Sequence, residues 1–457
     1  MSSSKPLYRL IISILFSVIL GFTILELYTQ RAWLIDPNWY SLEETKDTVT
    51  FRCQSFRPIS FPKKKKEDTT RILFMGGSPI FGFPHRPFGT KKLTTAEEQG
   101  IVGTLRQILK KHVEDKYEII NLGINGGRSS DTLTLFRKAL TWDIDFVLIY
   151  DGNNEFFHVP ETFSPILWRS ALYRFFVTSP QPPPAALFST QASPYGGYNQ
   201  EKSVEEEFSR TLKKIIDLAK SENIQPIVIT QAINRTGYDP TWSIKGPPQE
   251  EDIDIEELRQ KYPDSAPTAW NSWQQQYQKG FWDEQALVDS VEYDALRLRA
   301  RASIQNIIRK IAKENKIELI DAYRVMTQHE QNHLDLFYDW VHPTPKGAYY
   351  IAHTIAEHIL NREIEHSIPN EKDDLEAIRQ ISMIWLQAAC IKEYDPAFRL
   401  EQARAYAQKI IKNQPKDELA NSVLKIIDNW SSTNILLSPD MRPIFKQQGT
   451  CLAVKVR

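Results

Sequence analysis

The hydrophobic positions divide this chain before any other feature does. From Leu10 to Leu25 there is no charged residue, and the wider stretch from Leu7 to Tyr28 carries only Arg9 and Glu26 as charges. As a helix it would rise about 33 Å, close to the thickness of a bilayer's hydrocarbon layer. Arg9 can snorkel to the surface, and Tyr8 and Tyr28 fall where an interfacial aromatic belt would lie. The pattern predicts a transmembrane anchor within residues 1–30. Lys5 and Arg9 precede the span, whereas Arg31 and Lys46 beyond it are offset by Glu26, Asp36, Glu43 and Glu44. The positive-inside rule therefore puts the N-terminus in the cytoplasm and the rest of the chain outside. No small-x-small cleavage site follows Leu25, so the span is expected to be retained as a signal anchor.

Residues 31–70 show no strong period and read as a linker, ending in Pro62 and the run Lys63 to Lys66. From Arg71 the pattern becomes regular. Short apolar runs at 71–75, 118–124, 146–150, 226–230 and 317–321 read as buried parallel strands. Helical stripes lie between them. One is Ile101, Leu105, Ile108 and Leu109; another is Phe208, Leu212, Ile215 and Ile216; a third is Leu298, Ile304, Ile307, Ile308 and Ile311; Ala348 to Leu360 closes the series. Strands alternating with helices predict a parallel α/β domain over 71–365 with both faces of its sheet covered.

Two insertions interrupt it. Residues 156–200 carry the amphipathic stretch 166–176, a candidate lid or interfacial helix, and then Pro180, Pro182, Pro183 and Pro184. Residues 234–292 hold Trp242, Trp270, Trp273 and Trp282, which could stack on sugar rings or form a small core of their own. Beyond 366 the strands stop, and helical patterns at 373–393, 397–413 and 416–430 form a C-terminal region to 457. Residues 400–420 faintly resemble the end of a tetratricopeptide repeat. One partial repeat cannot stack into an array, which leaves a helical cap or a surface for a protein partner.

Composition narrows the function. Hydrophobic residues make up 41% of the 457 and charged residues 25%, an ordinary globular balance. With 56 basic and 57 acidic side chains the net charge is −1, so no global positive field recruits nucleic acid. Cys53, Cys390 and Cys451 are widely separated, which argues against a disulfide scaffold and a thiolate zinc site and leaves the redox compartment open.

In parallel sheets ligands bind beyond the carboxyl ends of the strands, and there the chemistry concentrates. Gly76-Gly77-Ser78-Pro79 follows the first strand, and Gly123 to Ser130 includes and follows the end of the second. Asp151-Gly152-Asn153-Asn154-Glu155 follows the third, and Asp339-Trp340-Val341-His342-Pro343-Thr344 comes after the fifth. Ser78 is the candidate nucleophile. A hydroxyl attacks poorly until a base takes its proton, which a neutral histidine does near pH 7. His342 is that base, and Asp339, three residues earlier, can hold its ring and stabilise the imidazolium. The Ser78 and Gly126 N–H groups and the Asn154 amide could converge on a developing oxyanion. Arg128 and Asn153 are candidate substrate-binding residues, and Glu155 is more readily structural. Ser129 and Ser130 suit the cap of the next helix, with Asp131 at its positive end.

The blocks GGSP (76–79), NLGINGG (121–127), GNNE (152–155) and DWVHPT (339–344) stand in the order of the SGNH (GDSL-type) hydrolases, which the chain resembles over roughly 71–361. That resemblance implies a flavodoxin-like three-layer α/β/α fold. It implies Ser78 as nucleophile, Asp339 and His342 as acid and base, an oxyanion hole of Ser78, Gly126 and Asn154, and no cofactor. The family usually has aspartate before the serine and leucine after it. Gly77 and Pro79 stand there instead, implying altered positioning of Ser78.

Competing signals are few. His329-Glu330-Gln331-Asn332-His333 matches the zinc-protease pattern H-E-x-x-H, but its surroundings lack an apolar helix face. His85 and His158 lie near the serine and asparagine blocks and read as solvated unless they touch substrate. Taken together, the expectation is a membrane-anchored esterase whose catalytic domain lies outside the cytoplasm. It would hydrolyse or transfer O-acyl groups through an acyl-serine, on an acylated small molecule or envelope glycan. The alternatives are an inactive glycan-binding or scaffold protein of the same fold and, further off, a zinc protease.

Overall fold

The computed structural model describes residues 40–428 except 54–55, 87–92, 94–97, 157–197, 238–239, 241–254, 295–298, 332–334, 368–374 and 390–395. The expected anchor, the stretch 166–176, Trp242, His158 and His333 lie outside the described residues. Among the described residues no helix is long and apolar enough to cross a membrane.

The sheet expected from the five apolar runs is present. Strands β4 (Thr70–Gly76), β5 (Tyr117–Asn121), β6 (Phe146–Tyr150), β7 (Gln225–Ile229) and β8 (Glu318–Ile320) pair in parallel in the order β5-β4-β6-β7-β8. This is the strand order of the flavodoxin-like doubly wound fold, with β4 at the point where the winding reverses. The alternation of side chains along β4 shows why two helical layers are needed. Leu73 and Met75 join one core with Leu135, Phe136, Phe208, Ile215, Ile304 and Ile308. Ile72 and Phe74 join the opposite core with Ile101, Leu105, Met326, Ala348 and Ile351. The first face is covered by α3 (Ser129–Ala139), α4 (Tyr198–Ser221) and α8 (Ala302–Asn315), the second by α2 (Gly100–Val113), α9 (Ala322–Glu330) and α10 (Pro345–Leu360). The result is a three-layer α/β/α sandwich. Each buried large aliphatic side chain contributes about 1.5–3 kcal/mol.

The stretch 31–70 is not simply a linker. Its β1 (Tyr40–Glu44), β2 (Thr48–Cys53) and β3 (Ile59–Pro62) form an antiparallel meander. Alternation in TVTFRC is interrupted by three successive buried residues, Val49, Thr50 and Phe51, which obscured the period of 2. Arg71 of β4 fastens the meander to the sheet. Its buried guanidinium donates to the Pro62, Lys63 and Trp142 carbonyls and pairs with Glu118. A buried charge is tolerated only when paired and hydrogen-bonded in this way.

The second insertion folds into α5 (Ile255–Lys261), α6 (Ala266–Gln278) and α7 (Glu284–Glu292). Trp270, Trp273 and Trp282 pack with Ala286 and Leu287 into a small core of their own. This is the small core of its own that the sequence offered as one reading of the group. The C-terminal helices are α11 (Leu375–Ala389), α12 (Pro396–Asn413) and α13 (Glu418–Asp428). Ile381, Trp385, Ala403, Ala407 and Val423 belong to the same core as Tyr338 and Trp340 of the domain.

Candidate active site

Strand order decides which loops meet. Since β5 and β6 both flank β4, the glycine block after β5 and the asparagine block after β6 lie on either side of the turn that leaves β4. That turn is α1 (Ser78–Phe81), a single helical turn that begins at the serine. Pro79 sits in that first turn, where a missing N–H removes no helical bond and a fixed φ favours the helix. The departure from the usual leucine is thus compatible with the turn. The first N–H groups of a helix have no acceptor within it, so the Ser78 N–H is presented at the helix start.

Gly77 has φ −78° and ψ −158°, a conformation open to any residue. What glycine relieves here is crowding, not backbone strain. A Cβ at position 77 would lie 2.8 Å from Asn154 Nδ2 and 3.4 Å from the Gly127 carbonyl oxygen. The Asn154 amide donates to that carbonyl at 2.8 Å, and an amide nitrogen has a second N–H to offer. Gly126, next in the chain, adopts φ +75°, in the region that favours glycine. The Asn154 amide and the turn at Gly126–Gly127 thus lie against the residue that precedes Ser78.

The histidine comes from the chain beyond β8, the last strand on the other edge of the sheet. His342 Nε2 lies 2.7 Å from Ser78 Oγ, and its Nδ1 lies 2.6 Å from Asp339 Oδ2. The other carboxylate oxygen, Oδ1, accepts from the Val341 and His342 N–H groups at 2.9 Å each. Since an ionised carboxylate can only accept, Nδ1 carries the proton and Nε2 is left to accept from the serine. Ser78 and Asp339 are buried, and the His342 side chain is 14% exposed. The Phe83 ring packs edge-on against the imidazole at 4.7 Å.

Asn153 is held by protein groups on both sides. Its amide donates to Gln231 Oε1 at 2.8 Å and its oxygen accepts from the Ala300 N–H at 3.1 Å. Buried and engaged at both ends, it braces the loop. Arg128 precedes α3, with its backbone N–H donating to Asp131 Oδ2 at 3.0 Å. Its charge acts on the nearby buried Asp131 and Glu155 carboxylates. Glu155 is structural, as expected. Burial pushes its carboxyl up to about 7, although the Ser129 N–H and hydroxyl both donate to it at 2.9 Å. Burial likewise raises Asp151, beside it, well above the usual carboxylate range.

His85 is buried and not solvated: its Nε2 meets the Pro343 carbonyl at 3.1 Å. Asn234 is a contributor that the sequence motifs passed over. It lies beyond β7, and it donates to the Asp339 carbonyl at 2.9 Å while its own carbonyl accepts from Arg299. The rule that loops at strand carboxyl ends carry the site would have pointed to it. In the H-E-x-x-H pattern, both Glu330 oxygens are held by the buried Arg235 guanidinium, which also pairs with Glu284 of α7. The His329 ring stacks on Tyr350 at 3.8 Å. Glu330 is half of a buried ion pair and cannot act as a base on water. Among the described residues no group of His, Cys, Asp and Glu could hold a metal ion.

The arrangement resembles that of the SGNH, or GDSL-type, hydrolases. No protein-family model matches the chain, and no curated protein matches it. Solved structures do. A GDSL-like lipase from Bacteroides thetaiotaomicron is 17% identical, covers 65% of this chain and 91% of its own, and has a TM-score of 0.34. An acetyl xylan esterase from Geobacillus stearothermophilus is 16% identical over 67% of this chain and 100% of its own, with a TM-score of 0.37. An alpha/beta hydrolase from a lake metagenome is 15% identical over 63% and 93%, with a TM-score of 0.34. The chemistry proposed for this chain rests on its own residues around Ser78.

Proposed function

We propose that the protein is a serine esterase that forms an acyl-Ser78 intermediate. The observation that carries this is the continuous relay from Ser78 Oγ to His342 to Asp339, with contacts of 2.7 and 2.6 Å. His342 takes the serine proton as the hydroxyl attacks an ester carbonyl, and the tetrahedral oxyanion forms among the Ser78, Gly126 and Asn154 donors. The imidazolium then gives its proton to the departing alcohol. In the second half the same base deprotonates the acceptor, so water gives hydrolysis and a sugar hydroxyl gives acyl transfer. The tethered, extracytoplasmic setting that the N-terminal span predicts favours an acylated envelope glycan as the substrate class. The non-catalytic reading drew on Gly77 and Pro79, and both fit the nucleophile turn as built.

The test is turnover of aryl acetates and of longer acyl esters by the full-length protein in detergent micelles, with and without glycan acceptors. Wild type should release the aryl alcohol, and Ser78→Ala should lose this activity. Equal turnover by Ser78→Ala overturns the esterase reading. An acyl group recovered on the glycan identifies transfer over hydrolysis.

A further inference from the structure

The loop that carries Asp339 and His342 has almost no regular structure of its own. Its one isolated bridge, Phe337 with Pro343, consists of Tyr338 N–H donating to the His342 carbonyl at 2.8 Å and Thr344 N–H donating to the Leu336 carbonyl at 2.9 Å, and Asp339 Oδ1 accepts from the Val341 and His342 N–H groups inside the turn. A relay that depends on two contacts shorter than 3 Å therefore needs its loop shaped from outside. One side is supplied by the α/β domain, through Asn234 on the Asp339 and Trp340 carbonyls and His85 on the Pro343 carbonyl. The other side is supplied by the C-terminal helices. Trp385 of α11 packs on Trp340 with ring centroids 5.6 Å apart, and Tyr406 of α12 meets Tyr338 edge-on at 6.4 Å while its hydroxyl donates to the Tyr338 carbonyl at 3.4 Å. Tyr338 and Trp340 are the two neighbours of Asp339.

We infer that Trp385 and Tyr406 are positioning residues for catalysis: the C-terminal helical unit clamps the residues on either side of Asp339 and so sets the distance between its carboxylate and His342. The reading rests on the Ser78 relay proposed above. The contacts of Trp385 and Tyr406 are with Trp340 and Tyr338, the neighbours of Asp339. Their effect passes through the loop, and it tells in the step where the imidazole becomes charged. The polar groups facing that imidazole are Asp339 on its own loop and Ser78 on the nucleophile turn, with His85 one residue away at the Pro343 carbonyl. A slackened loop weakens the Asp339 contact, so the imidazolium loses stabilisation and the base titrates at a lower pH.

The experiment measures kcat, KM and the acid limb of the pH–rate profile for the full-length protein carrying Trp385→Ala, Trp385→Phe, Tyr406→Phe or Arg379→Ala. A fluorophosphonate titration gives the fraction of competent sites in each preparation. Arg379 pairs with Asp417 inside the helical unit and serves as the control for general loosening of that unit. Trp385→Ala should lower kcat per titrated site roughly 10- to 100-fold, as a displacement of about 1 Å does, with KM little changed and the acid limb moved to lower pH. Trp385→Phe, which keeps an aromatic ring against Trp340, should restore most of both. Tyr406→Phe should give a smaller change in the same direction. If Trp385→Ala and Arg379→Ala alter only the fraction of competent sites, or shift the limb alike, the helices are merely structural and the inference is overturned. If wild type itself fails to label while Ser78→Ala matches its turnover, it is the esterase reading that has failed.

Discussion

Replacing Gly77 with alanine would put a carbon where the Asn154 amide now sits. The added Cβ would stand 2.8 Å from Asn154 Nδ2, whereas carbon and nitrogen in ordinary contact keep about 3.5 Å. The amide must withdraw by about 0.7 Å or swing away. Either movement breaks its 2.8 Å bond to the Gly127 carbonyl and removes a donor from the proposed oxyanion site. Losing one such donor lowers kcat roughly 100- to 1000-fold. The backbone angles at 77 suit alanine, so the fold should lose only about 1–3 kcal/mol from crowding. The assay is kcat on an aryl ester for Gly77→Ala, Asn154→Ala and the double variant, with Tm for each. The two single variants should fall together, and the double should fall little further, because both act through one amide. Gly77→Asp, which installs the residue the SGNH pattern usually carries, should be as damaging. A Gly77→Ala enzyme with kcat within about twofold of wild type at unchanged Tm would refute this account of the position.

Three other outcomes rest on the same contacts. Asp339→Asn keeps the shape of the carboxylate but places an amide against His342 Nδ1, favouring the wrong tautomer, and should lower kcat by about 10⁴ with KM nearly constant. Glu330→Gln leaves the buried Arg235 half paired and should cost about 3–5 kcal/mol in a denaturant titration, while turnover by the folded fraction survives and is unmoved by chelators. Glu155 titrates at about 7 in the folded protein, above its ordinary 4.5, so the unfolded chain releases this proton first. Its contribution to stability is full below pH 4.5 and declines as pH rises towards 7, by roughly 3 kcal/mol at most. Glu155→Gln should flatten that part of the Tm–pH curve relative to wild type, and a curve of unchanged slope would show that another group titrates there.

Much of this site was legible because its parts are local. Each block combines a strand end with glycines or a short polar run, and β4 flanked by β5 and β6 brings three of them together whatever the loops do. The doubly wound sheet was equally plain, since its strands are buried on both faces and read as continuous apolar runs. The meander at 40–62 escaped because Val49, Thr50 and Phe51 are all buried, which erases the alternation that marks a strand. Asn153 looked like a ligand-facing neighbour of Asn154. Only the fold reveals that Gln231 and Ala300 claim both ends of its amide. Gly77 looked like a defect in a family pattern until the Asn154 amide was seen to fill the space a side chain would need. The hold of Trp385 and Tyr406 on the catalytic loop joins segments far apart in sequence, and no period or spacing announces such a contact.

The central claim is that an acyl group passes through one particular serine. During turnover of a slowly hydrolysed acyl ester, rapid acid quench and peptide mass spectrometry should find the acyl mass on the peptide containing Ser78, and it should decay as product appears. Steady turnover with Ser78 unmodified at every time, or with the acyl group on a different residue, would contradict the account.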